Sequence, residues 1–97
     1  MSRVANVILT FSGAEADMRR LQELNENTKD LCGVRFSEVE GATGSKALER
    51  GICVGAFNYL DVAGLIEAIR KVNWHYPGSV QLFICNEEED RFTEKQP

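Results

Sequence analysis

Two segments with helical periodicity lie between four short segments with strand periodicity, in the order strand, helix, strand, strand, helix, strand. That order limits the fold more than any other feature of the chain. A half-buried strand repeats its apolar face every second residue, and an amphipathic helix repeats it about every 3.6 residues.

The first strand is expected over Val4 to Phe11, with Ala5, Val7, Leu9 and Phe11 on one face. Ser12 and Glu15 have the spacing of a capping box. The helix that follows carries Ala14, Met18, Leu21, Leu24, Thr28 and Leu31 at helical spacing and is expected to stop at Gly33. Val34 to Glu40 reads as the second strand, disturbed near Glu38 in the manner of a bulge or an edge. After the polar connection Gly41–Arg50, the third strand is expected over Gly51 to Tyr59. Its two sides are Ile52, Val54 and Ala56, and Cys53, Gly55, Phe57 and Tyr59. Asp61 is placed to cap a second helix, with Leu60 and Leu65 as a hydrophobic staple. Val62, Leu65, Ile66, Ile69 and Val72 form its apolar stripe. Pro77-Gly78 marks a turn into the fourth strand, Val80 to Asn86.

This βαββαβ order fits an α+β, ferredoxin-like sandwich: a four-stranded antiparallel sheet with two helices on one face. Right-handed crossovers would place the first and third strands centrally. The core is then expected to hold Val7, Leu9, Val34, Phe36, Val54, Leu82 and Ile84. Ile8, Val39, Cys53, Phe57, Tyr59, Phe83 and Cys85 would share the face without helices. Such a face is too apolar to be simply solvated, and large apolar patches mark interfaces. Three covers fit it: a second copy of the chain, giving a homodimer; a partner protein; or the C-terminal tail folding back through Phe92. A length of 97 residues implies a single domain, placed at 1–90, with 91–97 as an acidic, polar tail.

Charge is distributed unevenly. The chain carries a net −4, and the segment from Glu87 to Pro97 holds five acids (Glu87, Glu88, Glu89, Asp90, Glu94) against Arg91 and Lys95. The body is therefore near neutral. Glu87–Asp90 reads either as solvated charge that keeps a terminal strand from pairing with other chains, or as an acidic surface aimed at a basic partner. Four carboxylates in a row lack the spaced ligands of a calcium loop.

Several functions are disfavoured. No apolar run approaches the roughly 18 residues that span a membrane. Nothing after Met1-Ser2-Arg3 has a signal-peptide pattern, so a cytoplasmic location is expected. Cys32, Cys53 and Cys85 are widely spaced and read as small apolar residues in a reducing compartment. Direct nucleic-acid binding is not expected. The third and fourth strands lack lysine and arginine, Gly55–Tyr59 lacks the pattern of a base-stacking sheet, and the tail would repel phosphate. Gly41–Lys46 is not a phosphate loop, because its glycines are three apart and serine precedes the lysine. The single histidine, His75, fits the C-terminal end of the second helix.

No catalytic, metal or cofactor site is assigned. The expected function is a small non-enzymatic binding or regulatory protein. It would act through protein–protein contacts of Phe57, Tyr59, Phe83, Glu87, Glu88, Glu89 and Asp90. One alternative is an acidic inhibitor or immunity-type protein, bacterial or phage, that blocks a basic nucleic-acid-binding or nuclease partner. Another is an enzyme holding a small molecule between the sheet and the Gly41–Arg50 loop, with Glu38, Glu40 or His75 as acid/base groups.

Overall fold

Strand β1 (Val4–Ser12) runs through the middle of the sheet and sets the register of its neighbours. The computed structural model describes residues 4–12, 18–29, 36–38 and 50–97. After β1 come α1 (Met18–Thr28), β2 (Ser37–Glu38), β3 (Arg50–Asn58) and α2 (Val62–Arg70). A 3₁₀ turn (Pro77–Ser79), β4 (Gln81–Asn86) and β5 (Thr93–Lys95) complete the order of the described elements. The strands lie in the order β2-β3-β1-β4-β5, and every neighbouring pair is antiparallel. The protein is α+β: four anticipated strands and two helices, with β5 added at the edge from within residues 91–97.

β1 alternates as a half-buried strand should. Ala5, Val7, Leu9 and Phe11 are buried, Asn6 is exposed, and Ile8 and Thr10 are half-buried. Ala5 stands opposite Phe57, Leu9 opposite Cys53, and Phe11 opposite Gly51. On the other side Val7 meets Ile84 and Leu9 meets Leu82. These residues join Leu24 of α1, and Leu65 and Ile69 of α2, in one apolar core.

The register reverses the expected facing of β3. Val54 was expected inside and Cys53 and Phe57 outside. Instead Cys53 and Phe57 are buried beneath the helices, and Val54 is half-buried on the opposite face. Sterics account for the reversal. The Phe11 ring occupies the space above Gly51, where an added Cβ would lie 2.0 Å from a ring carbon. Gly51 therefore faces Phe11, and Cys53, Gly55 and Phe57 follow it to the same side. Phe57 then packs on buried Phe36, with ring centroids 5.3 Å apart.

α1 is fastened by side-chain amides. The Asn25 Nδ2 group donates to the Phe36 carbonyl at 3.2 Å, and the Phe36 N–H donates to Asn25 Oδ1 at 2.8 Å. One side chain thereby satisfies both backbone groups of a residue entering β2, as a neighbouring strand would. Asn27 Nδ2 donates to the Ala68 carbonyl at 3.1 Å, and the Asn73 N–H donates to the Glu23 carboxylate at 3.0 Å, which ties α1 to α2 and its exit. Asn25→Ala is expected to cost about 1–2 kcal/mol in urea unfolding, because it orphans two partly buried backbone groups. A change below roughly 0.5 kcal/mol, the level of an ordinary surface substitution, would remove Asn25 as a fastener.

α2 begins as anticipated. Asp61 has extended backbone (φ −83°, ψ 97°), and its Oδ1 accepts the Gly64 N–H at 3.1 Å. Of the staple pair, Leu65 is buried in the core and Leu60, half-buried, packs against it. The helix ends at Arg70, where the Lys71 N–H donates to the Glu67 and Ile69 carbonyls. His75, expected at the C-terminal end of this helix, lies well past it and is exposed; Lys71 is the C-cap. Trp74 closes this end of the core: its Nε1–H donates to the Ile69 carbonyl at 2.9 Å, and its ring lies 5.3 Å from that of Phe11.

Ser12 ends β1, and its N–H donates to Ser79 Oγ at 3.0 Å. Ala14, Glu15, Leu31, Cys32, Gly33, Val34, Val39, Glu40 and the 41–49 connection lie outside the described residues. The expectations placed on them, including the capping box, lie there too. Among the described residues no helix is long and apolar enough to cross a membrane.

Candidate interaction surface

The sheet face opposite the helices is built by the alternate residues of three central strands. β1 contributes Asn6, Ile8 and Thr10, and β3 contributes Ile52, Val54 and Ala56. β4 contributes Gln81, Phe83 and Cys85. Ile8 stands between Val54 on one side and Phe83 on the other. The three are half-buried and form an apolar strip across the sheet. β5 extends this face. Glu94 pairs with Phe83 and accepts from Gln81 Nε2 at 3.2 Å. Phe92 is 46% exposed and walls a groove of about 460 Å³, with Asn6, Ile8, Val54 and Ala56 in its lining.

The acidic run forms the turn that leaves β4, and hydrogen bonds of Glu87 and Glu89 hold it. The Glu87 N–H donates to the Val4 carbonyl at 2.9 Å, and the Val4 N–H donates to the Glu87 carboxylate at 3.3 Å. Glu89 Oε1 accepts from the Asn86 N–H at 3.0 Å and from Asn86 Nδ2 at 2.7 Å. The Glu89 N–H returns to the Asn86 carbonyl at 2.8 Å, and the Cys85 thiol donates to the Glu89 carbonyl at 3.3 Å. Two of the four carboxylates thus help to fold the turn. All four residues from Glu87 to Asp90 remain exposed.

A second cavity, of about 290 Å³, opens where this turn meets the end of β3; Val4, Leu60, Tyr59 and Glu87–Glu89 lie in its lining. Tyr59 is 62% exposed and has φ +50°, the left-handed region that bulky residues seldom adopt. This conformation turns the chain from β3 into α2.

The anticipated contact residues therefore separate. Phe83 lies on the open face. Tyr59 joins Glu87, Glu88 and Glu89 around the end cavity and does not stand on the sheet face. Phe57 is fully buried and is corrected to a core residue, because the β3 register points it at the helices. Cys53 is buried as well, whereas Cys85 is half-buried on the open face. Val54 and Ile52 belong to the surface and were missed; their apolar character alone pointed inward. Among the described residues no group of three His, Cys, Asp or Glu side chains is placed to hold a metal ion.

Comparison with known protein families, with curated proteins and with solved structures yields no match to this chain.

Proposed function

We propose that the chain is a small non-enzymatic binding protein whose contact surface is the open sheet face and the acidic turn beside it. The observation that carries this reading is the apolar strip Val54–Ile8–Phe83, whose strand β4 runs on into an exposed run of carboxylates. An apolar centre beside charge is the make-up of a protein–protein interface. No lysine or arginine stands on β1 or β4, so the electrostatic complement is a basic surface. The fold reading that accompanies this is ferredoxin-like. What supports it is the strand order β2-β3-β1-β4 with a helix between β1 and β2 and another between β3 and β4, to which β5 is an addition. That fold alone names no activity.

The test is quantitative capture of the cellular partner by three forms of the full chain. Val54→Glu places a charge in the strip and is expected to lower recovery by on the order of tenfold or more, as loss of an interface centre does. The double variant Glu88→Gln, Asp90→Asn keeps Glu87 and Glu89 in the turn. It is expected to weaken recovery at low salt and to match the wild type at high salt. Equal recovery by all three forms would remove this surface from the function. An acidic inhibitor of a basic partner is the second reading, favoured by the concentration of carboxylates at one end, and it predicts that the double variant suffers the larger loss. A homodimer predicts a dimer in light scattering that Val54→Glu converts to monomer.

A further inference from the structure

We infer that Phe92–Lys95 is a detachable strap on the open face, and that a partner reaches this face by displacing it. β5 has three residues and pairs with only Leu82, Phe83 and Ile84 of β4, whereas β1 and β3 pair along nine positions. Little apolar burial holds β5 in place: Thr93 and Glu94 are exposed and Lys95 is half-buried. Phe92, its one large apolar side chain, stays nearly half-exposed beside an unfilled groove.

The turn before the strap is anchored separately. Its bonds run from Glu87 to Val4 and from Glu89 to Asn86, and these do not involve β5. The strap can therefore leave while the turn stays, with the hinge at Asp90–Arg91. Segments with few buried contacts open locally at free energies far below that of global unfolding. Opening bares the outer edge of β4 and widens the groove over Ile8 and Val54. A freed edge beside an apolar groove suits strand addition. The displacing partner is thus an extended segment that pairs with β4 and sets an apolar side chain where Phe92 sits. This last step rests on the reading of the open face as the binding surface; the strap itself does not.

Amide hydrogen exchange on the full chain, without partner, tests the strap. The amides of Thr93–Lys95 are expected to exchange on the order of tenfold or more faster than those of β1, by sub-global opening. Phe92→Ser is expected to raise binding of an apolar dye several-fold while β1 and β3 keep their protection. The inference is overturned if wild-type β5 exchanges as slowly as β1, or if Phe92→Ser leaves dye binding unchanged. Exchange is read on the unaltered chain, so a poorly folding variant leaves the test decisive. Because no partner is present, failure here leaves the capture experiment standing, and the reverse also holds.

Discussion

Phe57→Ala is expected to remove about 3–5 kcal/mol of stability, the usual cost of deleting a fully buried aromatic ring. The side chain is inaccessible to solvent and lies against the ring of Phe36. A domain of this size has a total stability of about 5–15 kcal/mol, so the variant would sit near its folding threshold. Urea unfolding should show a large fall in midpoint at unchanged slope. Phe83→Ala supplies the contrast. Phe83 is half-buried on the open face, and its truncation is expected to cost about 1 kcal/mol from lost apolar contact. The two phenylalanines belong to strands on either side of β1 and face opposite ways. If Phe83→Ala proves the costlier change, the β3 register described above is wrong and Phe57 returns to the surface.

That contrast marks the boundary of what the sequence could reveal. Element order, the Asp61 cap, the stripe of α2 and the alternation of β1 depend on neighbouring residues, and all were legible. β3 was not, because both of its sides are apolar. Ile52-Val54-Ala56 and Cys53-Gly55-Phe57 satisfy strand periodicity equally, and a shift of one residue exchanges them. The choice is made by Phe11, distant in sequence, which needs a glycine opposite it. β5 was obscure for another reason: Thr93-Glu94-Lys95 carries no apolar alternation, and only pairing with β4 makes it a strand. The acidic run was visible as charge. Its use as a set of acceptors was not, because Val4, the partner of Glu87, lies 83 residues away.

Gly51→Ala tests the residue that decides this register, and it is expected to cost about 3 kcal/mol, the upper end for overpacking a core. A Cβ at position 51 would stand 2.0 Å from one Phe11 ring carbon and 2.6 Å from two more. The strands are paired on both sides of that contact, so the ring must move rather than the backbone. Moving it disturbs the Phe11–Trp74 contact, and Trp74 is the only tryptophan of the chain. Its emission should therefore shift in the folded Gly51→Ala protein. Phe11→Leu removes the ring edge and should itself destabilise, through lost packing on Trp74. In the double variant the alanine methyl enters space the ring has vacated. The two changes should then cost less together than the sum of the singles, with a coupling of about 1–2 kcal/mol, as for residues in direct contact. Additivity within about 0.5 kcal/mol would mean that methyl and ring do not compete. The facing of β3, and with it the assignment of Val54 to the binding surface, would then need another cause.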